Sequence, residues 1–313
     1  MMIFGWRQKD GRLAKTLFGC AIIAAVVHVV SMALPNDSLA HSGETSGVKV
    51  VVIGATARTA DELIPQALWR GYEVVAVARR PYRVRYADHP RLTILEGDVY
   101  DQVSIEAALS GTGEEVVISL YGPSVDPTIE VPETDLMSQG TTNIINAMKN
   151  KGNTKLMVTG SMAAPRVAAK GYKADTPKPP DVTPQSGLWD YNLRGPYNDM
   201  LKMEEITKQS GLRYIILRPG QLLIEPPRGG VRISVDDEPV PRQRVIMYAD
   251  FAQWILDQVE SDVYLGKTAS IYSDTPMSEI EGADFEGAVK YLKARKAQVD
   301  ADLAAAAERR KNQ

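Results

Sequence analysis

The chain has 313 residues, a hydrophobic fraction of 44% and a formal net charge of −3, which suits one large α/β domain or a domain with a small cap. The near balance of charge offers no basic face for nucleic acid, so no nucleic-acid partner is expected. Cys20 is the only cysteine and His28, His41 and His89 are the only histidines, so no zinc site, cysteine nucleophile or disulfide framework is expected.

The N-terminus carries Arg7, Lys9, Arg12 and Lys15, then an apolar run from Leu17 to Leu34 without acidic or basic side chains apart from His28, then Ser38-Leu39-Ala40. Basic flank, apolar run and small-x-small site follow the order of a secretory signal peptide. The run is also long enough for a short membrane anchor. Residues 1–40 are therefore expected to direct export, to the periplasm or to a membrane-anchored state, and membrane contact is expected only through them. The alternative is initiation at Met32 and a cytoplasmic product. Residues 41–47, rich in Gly and Ser, read as a linker.

From Val48 onward strand-like and helix-like runs alternate. Strands are predicted at 48–53, 73–78, 92–95, 116–120, 155–159, 213–217 and near 268–272. Helices are predicted at 59–70, 103–109, 134–151, 197–210, 249–260 and 281–309. This alternation predicts a doubly wound parallel sheet, a Rossmann fold, over 48–280. Runs such as Val50-Val-Val-Ile53 are apolar at every position, as strands covered on both faces require. Two segments break the pattern: the proline-rich stretch 164–196 and the stretch 225–244, which reads as an irregular hairpin. Both follow strand ends on the carboxyl edge of the sheet, where open α/β folds bind ligands, so they are assigned to a substrate cleft. Residues 281–313 read as a solvated helical tail.

The opening βαβ unit carries the chemistry. The first strand ends in Gly54-x-x-Ala57-x-x-Ala60, a small-residue turn that lets backbone approach a pyrophosphate held at the N-terminus of the following helix. Gly54, Thr56, Ala57, Arg58 and Thr59 are the candidate contacts, Arg58 as a cation and Thr59 as a hydroxyl donor. Arg79 and Arg80 begin 25 residues after Gly54, at the tip of the second strand. An acidic residue there suits the ribose 2′-hydroxyl of NAD; a cation suits a 2′-phosphate, so the expected cofactor is NADP(H).

Further landmarks follow in order: Gly71-Tyr-Glu-Val74, Glu96-Gly-Asp-Val99, Gly140-Thr-Thr-Asn-Ile-Ile-Asn-Ala-Met-Lys149, Val158-Thr-Gly-Ser161, Lys202-Met-Glu-Glu-Ile206, Ser210 through Arg218-Pro-Gly220, Ala249-Asp-Phe-Ala252 and Tyr264-Leu-Gly-Lys267. With these the chain resembles the atypical short-chain dehydrogenase/reductases, in the NAD(P)H-binding branch that holds NmrA-like proteins and biliverdin reductase B/flavin reductase. The resemblance spans about residues 48–275. It implies that Asp98 and Val99 meet the adenine and that Leu120 to Gly122 line the cofactor. It further implies a catalytic or nicotinamide-facing Ser161, a Lys202 that binds the nicotinamide ribose, and Pro219 and Gly220 closing over the nicotinamide.

Standard members use Tyr-x-x-x-Lys, which sets phenol and ammonium on one helix face. Here Asn198 lies four residues before Lys202. Tyr197 lies five before, about 140° round the helix, and Tyr191 lies in the preceding loop. Tyrosine protonation of a carbonyl is therefore not expected, and Tyr197→Phe is expected to have little effect, although Tyr197 remains a catalytic candidate beside Ser161 and Lys202. The expected activity is NADPH-dependent reduction of a small conjugated acceptor: a flavin, a quinone or a similar molecule. The rivals are a non-catalytic NADP(H)-binding sensor or assembly factor, and an epimerase or lyase with Tyr191 or Tyr197 as acid/base. The sequence leaves oligomeric state and substrate identity open.

Overall fold

The structure is a computed structural model that describes residues 46–275 and 279, except 124, 125, 127, 174, 175, 180–186, 237, 239 and 241–243. The targeting segment 1–40, most of the linker 41–47 and the expected helix 281–309 with its tail lie outside the described residues.

Ten strands and seven helices are described. In chain order they are β1 (Lys49–Ile53), α1 (Arg58–Trp69), β2 (Glu73–Ala78), β3 (Leu92–Glu96), α2 (Gln102–Glu106), β4 (Val116–Ser119), α3 (Leu136–Lys151), β5 (Lys155–Thr159) and α4 (Ala163–Ala169). They continue with α5 (Leu188–Asn192), α6 (Arg194–Lys208), β6 (Arg213–Pro219), β7 (Gln221–Leu223), β8 (Val231–Val235), β9 (Val245–Met247), α7 (Tyr248–Asp257) and β10 (Lys267–Ser273). Eight strands form one sheet in the order β3-β2-β1-β4-β5-β6-β10-β8, with β7 and β9 paired separately. Every neighbour in the large sheet is parallel except β8, which runs antiparallel to β10. The doubly wound parallel sheet expected from the sequence is therefore present, with every anticipated strand.

The continuous apolar strands explain the layering. Successive side chains of β1 point to opposite faces. Val50 and Val52 join Leu63 and Ile64 of α1 and Phe251 and Ile255 of α7 in one core. Val51 and Ile53 join Ile105 of α2, Ile144 and Met148 of α3 and Met203 of α6 in the other. Each of these fully buried side chains contributes about 1.5–3 kcal/mol of transfer free energy.

The two irregular segments differ from expectation. Stretch 164–196 holds the short helices α4 and α5. Stretch 225–244 is not a hairpin: β8 leaves it to pair with β10, registering Ile233 against Ile271 and Val235 against Ala269. The sequence Val231-Arg-Ile-Ser-Val235 alternates apolar with polar, which suits an edge strand with one covered face.

Helix α3 shows how the site's supports are joined. Its N-cap, Asp135, makes no side-chain cap bond. Instead Asp199, from α6, accepts from the backbone amides of Met137 at 2.7 Å and Ser138 at 3.2 Å and from the Ser138 hydroxyl at 2.5 Å. A buried carboxylate thus satisfies orphan amides at the positive end of another helix, fixing α3 against α6. At its other end α3 stops at Gly152, whose φ of 77° is the left-handed conformation that glycine adopts without cost.

Candidate functional site

The strand order reverses between β1 and β4, so the loops after these strands diverge and open a crevice at the carboxyl edge. Three strand tips meet beside it. The amides of Gly54 and Ala55 both donate to the Val77 carbonyl at 3.0 Å, two residues before Arg79. The amide of Gly97 donates to the Ala78 carbonyl at 3.2 Å, which sets Asp98 and Val99 next to the arginine pair. Arg79 is exposed and Arg80 half-buried. Val99 is held from the α3 side by Asn143, whose side-chain amide donates to its carbonyl at 2.9 Å.

The loop's shape requires its one glycine. Gly54 has a φ of +85°, and a Cβ there would lie 2.6 Å from the Tyr121 amide nitrogen. Tyr121 cannot retreat easily: its hydroxyl bonds Thr141 at 3.1 Å and the Met137 carbonyl at 3.2 Å, and a Cβ on Gly140 would strike that same hydroxyl at 2.6 Å. Helix α1 then begins at Arg58 after Ala57, an N-cap without a side-chain cap bond. A close-approach glycine leading into an uncapped helix N-terminus is a cradle for phosphate. Thr56, Ala57 and Arg58 are half-buried along it and Thr59 is buried. The residues present therefore fit a dinucleotide: Gly54, Thr56, Ala57, Arg58 and Thr59 line the cradle, and Arg79 and Arg80 stand at the tip of β2 beside it. Leu120 is buried at the end of β4, and Gly122 stands in open space, with nothing within 4 Å of an added Cβ.

On the other side of the crevice β5 delivers Ser161 and α6 delivers Tyr197. The Ser161 hydroxyl, which accepts from the Ala163 amide at 3.1 Å, lies close enough to the Tyr197 phenol to lower its pKa. Burial pushes that phenol up to about 12; the charge of Asp190 adds to the rise, while Arg166 and Ser161 oppose it. The hydroxyl is accordingly a protonated donor at neutral pH. Lys202 is exposed. Asp199, Met203 and Glu204 fill the buried face of α6, which turns Lys202 and Tyr197 to opposite edges of that face. Tyr197 therefore lies on the Ser161 side of α6, and Lys202 lies at the other edge, exposed. The residue four before Lys202 is Asn198, as the sequence shows, and the tyrosine that lies near Ser161 is Tyr197.

Pro219 is buried at the end of β6, and the Gly220 amide donates to the Ile271 carbonyl at 2.9 Å. A Cβ on Gly220 would lie 2.7 Å from the Arg244 carbonyl oxygen, so close chain packing already calls for glycine there.

Sequence reasoning missed two neighbouring groups. Glu204 and Arg218 form a buried bidentate ion pair behind Gly160. Asp190, 6% exposed, accepts from Arg166 and Lys170. The i,i+4 spacing of Arg166 and Lys170 was the available signal, because it puts both cations on one helix face.

Residues 54–262 match the model of the NAD(P)H-binding family, and the chain belongs to that family. It is 30% identical over 192 residues to an uncharacterized chloroplastic protein of Arabidopsis thaliana, covering 60% of this chain and 64%, less than two thirds, of that one. It is 22% identical over 235 residues to the uncharacterized protein YwnB of Bacillus subtilis, covering 72% of this chain and 99% of YwnB. Among solved structures, ChuY, an anaerobilin reductase from Escherichia coli O157:H7, superposes with a TM-score of 0.57 at 17% identity over 72% of this chain and 98% of that one. A short-chain dehydrogenase/reductase from Veillonella parvula in complex with NADP gives 0.52 at 16% identity over 72% and 95%. The expected NAD(P)H-binding relationship is met; likenesses at these identities concern the fold.

Proposed function

We propose that the protein is an NADPH-dependent oxidoreductase that reduces a small conjugated organic acceptor such as a flavin or quinone. The observation that carries the reading is the Gly54 turn leading into the uncapped N-terminus of α1, with Ser161 and Tyr197 following β5 and opening α6 at the same carboxyl edge. NADPH, when bound, supplies a hydride. The chain's own residues hold the pyrophosphate at the α1 N-terminus, neutralise a 2′-phosphate with Arg79 and Arg80, and present the protonated Tyr197 phenol near Ser161. ChuY's description as a reductase and the NADP in the Veillonella structure agree with this reading. The N-terminal segment is proposed to export or anchor the protein; a mature N-terminus beyond Ala40 in material from the host envelope would support cleavage.

The test is NADPH oxidation with menadione and riboflavin. Tight NADPH binding with neither acceptor reduced would favour a sensor instead. Cofactor choice has its own expected result. Arg79→Ala/Arg80→Ala should raise the NADPH Kd by roughly 10- to 100-fold, the worth of charge-assisted contacts to phosphate, while the NADH Kd changes far less. Calorimetric titration of both nucleotides reads this, and equal losses would refute the assignment.

Tyr197→Phe should lower kcat by about tenfold or more, since a positioned proton donor contributes at least that much. The pH profile fixes the sign. Folding raises the phenol pKa from 10.0 to about 12, so Tyr197 stays protonated through the neutral range and any loss from its ionisation appears only well above pH 10. A steady-state profile of wild type from pH 6 to pH 9 should show no descending limb that Tyr197→Phe removes.

A further inference from the structure

The Arg166–Asp190–Lys170 cluster lies apart from the dinucleotide cradle, and among the described residues two cations share one carboxylate there. Arg166 Nη2 donates to Asp190 Oδ1 at 2.8 Å, Arg166 Nη1 also bonds Oδ2, and Lys170 Nζ reaches Oδ2 at 2.6 Å. One carboxylate, its side chain 9% exposed, therefore serves two cations whose side chains are 52% and 37% exposed. Its hydrogen bond to Asp190 holds the Lys170 ammonium above its ordinary pKa, so both cations stay charged. Arg194 differs: it is paired to Glu130 at 2.5 Å, stacks 4.1 Å over the Tyr191 ring and is 17% exposed. The local excess is also written in the sequence. Stretch 164–196 holds five Lys and Arg against three Asp, in a chain whose net charge is −3.

We propose that this cluster is a subsite for an anionic group, a carboxylate or phosphate, carried by the conjugated acceptor itself. This rests on the oxidoreductase reading and names its substrate class. Position supports it: α4 begins two residues after Ser161, and Asp190 and Arg166 both act electrostatically on the Tyr197 phenol. Donor capacity supports it as well. A guanidinium has five N–H groups and an ammonium three, and Asp190 engages only part of them. Asp190 fixes the two long side chains in place, so an arriving anion meets cations that lose little further freedom. Beside them, Tyr172 and Tyr191 pack edge to face at 5.7 Å, and Lys170 lies 5.8 Å over the Tyr172 ring. Aromatic edges next to surplus positive charge suit a planar molecule with an acidic substituent.

The test compares FMN with riboflavin, which share one redox ring and differ by a phosphate. The full-length protein is assayed at saturating NADPH, so that the cofactor's own phosphate contacts are occupied. Wild type should show the lower KM for FMN. Arg166→Gln and Lys170→Gln should each raise the KM for FMN by about tenfold, the worth of one charge-assisted contact, with the KM for riboflavin little changed. Lys170 is partly exposed, so its variant reports on the subsite even if Arg166→Gln unfolds the segment. Salt should weaken the FMN preference and spare riboflavin. Equal shifts for both flavins, no wild-type preference, or binding of inorganic phosphate without preference for FMN would overturn the proposal. Flavin binding with NADP+ present, read by fluorescence, separates the two readings. An FMN preference in binding without any turnover sustains the subsite and sinks the reductase. Turnover of both flavins without preference does the reverse.

Discussion

Gly54→Val is expected to weaken NADPH binding by roughly 100-fold or more and to lower the melting temperature as well. Two costs combine. A φ of +85° places an L side chain in the left-handed region, at about 1–2 kcal/mol. The added Cβ would also stand 2.6 Å from the Tyr121 nitrogen and 2.8 Å from its Cα, contacts with backbone that no rotamer change relieves. That backbone is tied down, because the Leu120 amide donates to the Ile53 carbonyl at 2.8 Å and the Tyr121 hydroxyl is held under α3. The relief available is displacement of the 54–57 loop, which carries the uncapped end of α1 away from the pyrophosphate. Gly122→Ala is the control for stability: its Cβ enters open space, so its melting temperature should match wild type. Nucleotide titration with thermal melts of the three proteins decides the matter. A Gly54→Val protein that binds NADPH within threefold of wild type would refute the cradle.

The cradle could be read from the sequence because a run of apolar residues ending in glycine constrains both strand and turn at once. The βαβ order did the same for most of the sheet. What escaped was set by partners far away in the chain. Strand β8 is defined by β10, some forty residues on, and the run Pro226-Pro-Arg-Gly-Gly230 before it hides the alternation. Which residues of α6 border the crevice depends on helix rotation. Counting back from Lys202 assumes that the lysine faces the crevice. Burial of Asp199, Met203 and Glu204 turns Tyr197 toward Ser161 instead. Those three burials reflect an amide pair on α3, an apolar core and an arginine on β6, and only the apolar one is visible in local periodicity.

The arginine on β6 sets the largest stability effect expected from any single carboxylate in the site. Glu204→Ala should destabilise the protein by about 3–5 kcal/mol, because it leaves a charged Arg218 guanidinium buried without its counter-ion. The side chains of the pair are 2% and 12% exposed, and Arg218 Nε reaches Glu204 Oε1 at 2.8 Å in a two-point contact. The space is closed by Gly160, whose Cβ would lie 2.9 Å from Glu204 Oε1, and the Gly160 amide is held by the Leu217 carbonyl at 2.8 Å. Ser161 is the next residue, so the pair helps fix the backbone that carries the serine. Replacing both partners with apolar side chains, Glu204→Leu with Arg218→Met, should recover most of the melting temperature, since the desolvation penalty disappears with the charges. It should not recover kcat to the same degree, because the two-point contact also orients α6 against β6. Urea melts with steady-state assays of the single and double variants measure both quantities. A single variant that loses no more than a surface substitution does, about 0.5 kcal/mol, would show that water or a neighbouring group satisfies Arg218, and that Ser161 is positioned without it.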